Sequence, residues 1–325
     1  MKAVIYQRYG SSAVLEIKEI EVPELLAHQV LVRVRAVSLN PYDWHMMRGT
    51  PFLMRLQSGL CKPKNTHFGV DMAGVVEAIG KEVVGFKVGD KVYGGSRGGT
   101  AEFVATSQEN IAIMPEALTF EQAAAIPMAA VTALQAVRDK GKVKSGQSIL
   151  IVGASGGVGT CAVQIAKSFG AEVSGVCSTG NVELVKSLGA DHVIDYTVVD
   201  FTKGEKKYDV VVQTAGNYSL SELRQCLKPS GTLVLAGDSS GTKGRFGFGM
   251  LVGLIQMVAI SHFVSQRLMT MLAKRSKSDL SVLNELVESG KFKPVIDRSY
   301  PIDRIAEAVE YLETGHARGK VVIVL

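Results

Sequence analysis

Hydrophobic and polar residues fall into successive rhythms along this chain. Over residues 30–37, Val30-Leu-Val-Arg-Val-Arg-Ala-Val37, apolar and polar positions alternate, the period of a half-buried strand. Residues 75–79 and 91–93 read as further short strands. Glycines at 69, 74, 80, 85, 89, 94, 95, 98 and 99 punctuate them, which suggests a small, strongly curved β-barrel. At Thr119 the rhythm turns helical. Thr119 and Gln122 are spaced for a capping box, and the alanine-rich run 123–136 follows, interrupted by Pro127.

From residue 148 strands and helices alternate. Strands are expected at 148–152, 172–177, 192–195, 208–213 and 232–236, with helices at 160–169, 181–188 and 219–227. Such alternation implies right-handed βαβ crossovers and a parallel sheet covered on both faces. Two amphipathic helices come later. In 279–289, Leu280, Leu283, Leu286 and Val287 share a face; in 303–314, Ile305, Ala308, Val309 and Leu312 do. A strand over 321–325 closes the chain. The expected organisation is α/β, with one domain at 1–118, completed by 266–325, and a second at 119–265.

Length and charge narrow the function classes. A chain of 325 residues has room for two domains and a sizeable core. Its net charge of +5 is spread thinly, with no Lys/Arg block or basic–aromatic patch, so no nucleic-acid partner is expected. Cysteines 61, 161, 177 and 226 form no C-x-x-C pair, which argues against a structural zinc site or a disulfide framework. The first residues alternate like a strand and lack a signal peptide's apolar core, so a cytoplasmic location is the expectation. Residues 246–264 are apolar, of about spanning length, and flanked by basic residues. Two readings stay open: a buried helix between domains or at a subunit contact, and a greasy lid or peripheral membrane contact that admits lipophilic substrates. Segments of folded domain on both sides argue against a span.

The strongest chemical signal is Ile149-Leu-Ile-Val-Gly-Ala-Ser-Gly-Gly-Val-Gly159. A strand runs into a glycine-rich turn, and the turn into a helix. That order brings backbone N–H groups and a helix N-terminus to a dinucleotide pyrophosphate. The spacing is Gly153-x-x-Gly156-x-x-Gly159, with Ser155 in place of the usual second glycine. The second strand ends Val176-Cys177-Ser178-Thr179, without the Asp or Glu that binds the ribose 2′-OH of NAD. Small hydroxyl side chains can bond a 2′-phosphate without repelling it, so NADP(H) is favoured, although no Arg or Lys lies between Ala171 and Val185.

Six segments together resemble the medium-chain dehydrogenase/reductase superfamily, in its zinc-independent quinone oxidoreductase-like branch. They are Ser38-Leu-Asn-Pro-Tyr-Asp-Trp44, Gly69-Val-Asp-Met-Ala-Gly-Val-Val-Glu-Ala-Ile-Gly80, Val88-Gly-Asp-Lys-Val-Tyr-Gly94, the glycine turn, Leu188-Gly-Ala-Asp-His-Val-Ile-Asp-Tyr196 and Gly315-His-Ala-Arg-Gly-Lys-Val-Val322. The resemblance implies a GroES-like β-barrel catalytic domain and a doubly wound Rossmann domain, with the active site in the cleft between them. It also implies a homodimer through the edge strand 232–236. Zinc alcohol dehydrogenases carry Cys where this chain has Ser38, and Gly-His-Glu where it has Gly69-Val70-Asp71. Valine cannot ligate, so no metal is expected. Without a Lewis acid, reduction of a small lipophilic quinone or enone is easier than oxidation of an alcohol.

By resemblance, Asn40 lies near the nicotinamide or substrate, and Asp43 orients the loop or relays a proton. A helix N-cap is an equal alternative for Asp43. His45 falls where relatives carry a proton-bearing side chain, with an exposed helix position as its alternative. Thr132 resembles a threonine that touches the nicotinamide, or is a buried helix hydroxyl. Ser155, Gly156, Gly157, Val158 and Gly159 are expected at the pyrophosphate. Ser178, Thr179 and Tyr196 are expected at the 2′-phosphate, and Ala215, Gly216 and Gly237 at the nicotinamide end. Lys320 either reaches back to the cofactor or is a solvated surface lysine. Beside an NADPH-dependent reductase stand two other readings: a zinc-free alcohol or carbonyl dehydrogenase, and a nucleotide-binding redox sensor or interaction protein.

Overall fold

The computed structural model describes residues 1–237, 256–258, 260–261 and 263–325. The apolar segment 246–264 falls largely outside the described residues. Two compact units emerge: Met1–Val131 with Arg275–Leu325, and Thr132–Lys274.

The first unit is built around the strand Gln29–Leu39. Val30, Val32, Val34 and Ala36 are buried, while Arg33 and Arg35 face out, as the alternation predicts. One edge of this strand pairs with Asp71–Ile79; the other is shared by Phe103–Ser107 and Lys320–Val324. Lys91–Gly95, Ile111–Ile113 and Ile296–Pro301 complete a seven-stranded GroES-like sheet. Register shifts between Leu31 and Val32 and between Val34 and Ala36 bend the central pair. Ile305 and Val309 of the helix Ile305–Glu313 join the core beside Val321 and Ile323.

Thr119 and Gln122 form the capping box: Gln122 N donates to Thr119 Oγ1 at 3.3 Å, and Thr119 N to Gln122 Oε1 at 3.1 Å. The helix they start, Phe120–Ala124, packs on the strands Gln29–Leu39 and Asp71–Ile79, so it belongs to the first unit. The unit boundary therefore falls at 131/132 and not at 118/119. Pro127 begins a second helix, Pro127–Leu134, at a position where its missing N–H costs nothing.

The second unit is a Rossmann-type sheet of six parallel strands. Their order is His192–Asp195, Glu172–Cys177, Ser148–Val152, Tyr208–Gln213, Leu227–Leu235 and Arg267–Thr270. The order reverses between Ser148–Val152 and Tyr208–Gln213, the switch point where such sheets hold their ligands. Two expectations change here. Residues 232–236 are not an edge, because Thr232–Leu235 pair in parallel with Arg267–Thr270. An edge-to-edge dimer through 232–236 is thus blocked by the chain's own strand. For the same reason the second unit runs past 265, to Lys274. Among the described residues no helix is long and apolar enough to cross a membrane.

Candidate active site

In the second unit the glycine turn leads directly into the helix Gly157–Ser168, three residues before the expected start, with Gly156 as N-cap. Gly153 has φ +83°, the left-handed region that favours glycine. Gly159 is fixed by close approach: a Cβ there would lie 2.0 Å from Gly153 O. Gly156 differs. A Cβ added to it would meet only Gly153 O, at 3.6 Å, so the face of the turn is open. No side chain caps the helix. The backbone N–H groups of its first turn, at Gly157, Val158 and Gly159, have no intrahelical acceptors, and with the helix dipole they suit an anion. An open glycine cradle at a helix N-terminus fits a coenzyme pyrophosphate. Ser155 and Val158 are half-buried beside it.

The neighbouring strand ends meet this turn. Thr214 Oγ1 donates to Val152 O at 2.9 Å, and a Cβ on Gly153 would come within 2.8 Å of Ala215 Cβ. Gln213 Nε2 donates to Gly216 O at 2.8 Å, and a Cβ on Gly237 would sit 2.1 Å from Thr214 O. Gly153, Ala215, Gly216 and Gly237 are therefore gathered at the carboxyl ends of adjacent strands.

At the end of Glu172–Cys177, Asn181 Nδ2 donates to Ser178 Oγ at 3.0 Å, and the exposed Thr179 hydroxyl lies 2.9 Å from Thr197 Oγ1. Tyr196 N donates to Cys177 O at 3.1 Å, which lays the following turn alongside Ser178; the Tyr196 ring is half exposed. Asp195 was not anticipated in this cluster. It pairs in register with Cys177, and Thr197 Oγ1 donates to its Oδ1 at 2.7 Å. Hydrogen bonds from Thr179 and Thr197 hold its carboxyl below the usual carboxylate range.

The first unit holds a second constellation. Asn40, not Asp43, is the N-cap of the helix Pro41–Arg48. Asp43 stands three residues on, and Asn40 N donates to its Oδ2 at 2.8 Å. Asn40 Nδ2 donates to Asp71 Oδ2 at 2.9 Å and to Ser38 O at 3.3 Å. Ser38 Oγ donates to the same Asp71 oxygen at 3.2 Å, and Met128 N to both Asp71 oxygens at 3.2 Å. Lys320, only 4% exposed, donates to Leu39 O at 3.0 Å and to Asn40 Oδ1. It is thus no surface lysine: its ammonium lies inside the first unit beside two buried carboxyls. Burial pushes Asp43 up to about 7; the Asp71 charge adds to this, while Asn40 and Lys320 oppose it. Burial also raises Asp71, against the pull of Lys320, Asn40 and the Met128 N–H. Asp43 Oδ1 is buried with no partner among the described residues.

His45 is 8% exposed, which removes the exposed-helix alternative. Its Nδ1 lies 2.8 Å from Thr50 O, and its ring stacks on Trp44 with centroids 3.6 Å apart. Thr132, 7% exposed, lies within the helix Pro127–Leu134 and opens the second unit. Among the described residues no group of three His, Cys, Asp or Glu side chains is placed to hold a metal ion.

Residues 26–136 match the family model for the alcohol dehydrogenase GroES-like domain, and 188–323 that for zinc-binding dehydrogenases. The 2-methylene-furan-3-one reductase of Solanum lycopersicum is 38% identical over 99% of this chain and 79% of its own length. An NADPH-dependent alkenal/one oxidoreductase, chloroplastic, of Arabidopsis thaliana is 35% identical over 99% of this chain and 79% of its own. Among solved structures, the quinone oxidoreductase from Coxiella burnetii superposes with a TM-score of 0.85 at 31% identity, covering 100% of this chain and 99% of that one. With relatives of this identity along its whole length, and with this fold, the chain belongs to the medium-chain dehydrogenase/reductase superfamily, in its quinone oxidoreductase-like branch.

Proposed function

We propose that the chain is a zinc-independent reductase that passes hydride from NADPH to a quinone or an α,β-unsaturated carbonyl. Membership of the superfamily makes it an oxidoreductase that uses a nicotinamide coenzyme. The finer reading is carried by one observation, the state of positions 38, 70 and 71. Ser38 and Asp71 bond each other and Asn40, and Val70 offers only hydrocarbon, so they do not assemble the three donors around an open position that a catalytic zinc requires. An alcohol then lacks the Lewis acid that would activate it. A quinone or enone accepts hydride at carbon and needs only a proton or hydrogen bond at oxygen.

The bound nicotinamide supplies the hydride; this chain's residues bind, orient and handle the proton. Gly156, Gly157, Val158 and Gly159 hold the pyrophosphate, with Ser155 alongside. Ser178, Thr179 and Tyr196 receive the 2′-phosphate, and Ala215, Gly216, Gly237 and Thr132 line the nicotinamide end. Asn40 and Asp43 order the start of the helix Pro41–Arg48. His45, on the same helix, is the candidate donor to the substrate oxygen, since imidazole gives up a proton near neutral pH. The relatives named as a methylene-furanone reductase and an alkenal/one oxidoreductase agree with an enone substrate.

The test is oxidation of NADPH, with NADH in parallel, by protein dialysed against a chelator and given a naphthoquinone or an enone. Turnover without added metal is expected, with NADPH preferred. Activity that returns only with zinc would overturn the zinc-independent reading. Tight NADPH binding that no acceptor ever discharges would favour the sensor.

A further inference from the structure

The sheet order places a carboxylate where the end of the second strand alone shows none. The end of His192–Asp195 lies against the end of Glu172–Cys177, so Asp195 stands beside Cys177, one residue before Ser178. Its side chain connects to Thr179 through a chain of hydroxyls. Each threonine has a single O–H proton. Thr197 spends its own on Asp195 Oδ1, at 2.7 Å. Thr179, whose Oγ1 lies 2.9 Å from Thr197 Oγ1, also bonds the Asp195 carboxylate, so its one proton is spent inside the same cluster. The Thr179 proton points toward Thr197 and Asp195, and what its oxygen offers outward is lone pairs.

Acceptors of this kind suit a sugar hydroxyl, which donates. A phosphate dianion must take its donors from elsewhere on the turn, such as the Ser178 hydroxyl, which only accepts from Asn181, and it is repelled by the nearby carboxylate. We infer that Asp195 is a specificity-determining residue: through its charge and the Thr197 and Thr179 hydroxyls it weakens the hold of this turn on a 2′-phosphate and so limits, without reversing, the preference for NADPH over NADH. The inference rests on the reading that Ser178 and Thr179 face the coenzyme's 2′ position. A dianion and a carboxylate about 6 Å apart repel by roughly a tenfold in affinity even at the dielectric of water.

The experiment measures dissociation constants of NADPH and NADH by nicotinamide fluorescence at fixed low salt, with 2′,5′-ADP as a probe of the phosphate alone. Asp195→Asn is expected to move the NADPH:NADH affinity ratio about tenfold toward NADPH, mainly by tightening NADPH and 2′,5′-ADP. Asp195→Ser, which loses the charge and keeps a hydroxyl, is expected to give the same shift should the amide fold poorly. Thr197→Val keeps the charge and removes one hydroxyl from the cluster, so its shift is about threefold or less. Asp139→Asn, an exposed carboxylate elsewhere, controls for net charge and leaves the ratio unchanged. An unchanged ratio in both Asp195 variants, with both coenzymes still bound, overturns the role of Asp195 and leaves the coenzyme site standing. Failure of the unaltered chain to bind either coenzyme overturns the site itself, and the inference with it.

Discussion

Asn40 joins two buried charges of opposite sign: its amide nitrogen donates to Asp71 Oδ2 at 2.9 Å, and its amide oxygen receives the Lys320 ammonium. Neither partner is more than 4% exposed. Burying charge is tolerated only when every group is paired and hydrogen-bonded, so the cluster stands or falls as a whole.

Removing the cation should therefore cost more than removing both charges. Lys320→Met is expected to destabilise the protein by about 3–5 kcal/mol, because it leaves buried carboxyls unpaired. The double variant Lys320→Met with Asp71→Asn should recover much of that loss. Urea denaturation at neutral pH reads both, and a Lys320→Met loss below about 1 kcal/mol would show that the cluster is not ionised.

Asp43 gives the protein a pH signature. Its carboxyl, ordinarily near 3.8, is pushed up to about 7 by burial and by Asp71. The folded state thus binds this proton more tightly than the unfolded chain. The stabilisation is complete below about pH 4 and is lost as pH rises through about 7, a change of about 4 kcal/mol. Asp71, also raised, acts in the same direction. Asp43→Asn should flatten the dependence of stability on pH between 4 and 7. If Asp43 also relays a proton, the same variant removes an inflection near neutrality from the profile of kcat/KM.

Two glycines of the turn should separate folding from coenzyme binding. Gly159→Ala drives a Cβ to 2.0 Å from Gly153 O, and an overpacked backbone of this kind is expected to cost about 1–3 kcal/mol of stability. Gly156→Ala meets only an ordinary contact at 3.6 Å, so the thermal midpoint should hold. Its methyl group fills the open cradle, and NADPH affinity should fall by about tenfold or more, since close backbone approach is what the turn provides. Unaltered affinity in a folded Gly156→Ala protein would place the pyrophosphate elsewhere.

Arg48 ties the end of the site helix to the rest of its unit. Its Nε and Nη2 each donate to Glu313 at 2.6 Å, a bidentate bridge from Pro41–Arg48 to Ile305–Glu313. Arg48→Ala should lower stability by about 1 kcal/mol, a loss that diminishes in high salt. Paired melts at low and high ionic strength test it.

Much of this organisation is legible in local pattern, and what is not depends on distant pairing. The alternation over 30–37 and the strand–turn–helix at 149–159 follow from period and glycine placement alone. The helix after the glycine turn begins earlier than its first long side chains suggest, since Gly157, Val158 and Gly159 are helical without announcing it. Residues 232–236 look like an edge only until Arg267–Thr270 is known to pair beside them. Lys320 is ambiguous as a letter, because nothing near it in sequence tells that Leu39 and Asn40 surround its ammonium. Asp195 is visible in the segment 188–196, yet its bearing on Thr179 needs the order of the sheet. Adjacent strands say what one strand cannot.

The strand Lys320–Val324 completes the cluster from the far end of the polypeptide, 280 residues beyond Asn40. On the ribosome the residues of the second unit emerge before it and can fold as a body, while Asp71 waits without its counter-charge. The parallel sheet can therefore be native in a nascent chain whose candidate catalytic groups are not yet assembled. A ribosome stalled a few codons short of Lys320 would hold a protein with every strand of the second unit synthesised and with Asn40 Oδ1 lacking the ammonium it accepts from.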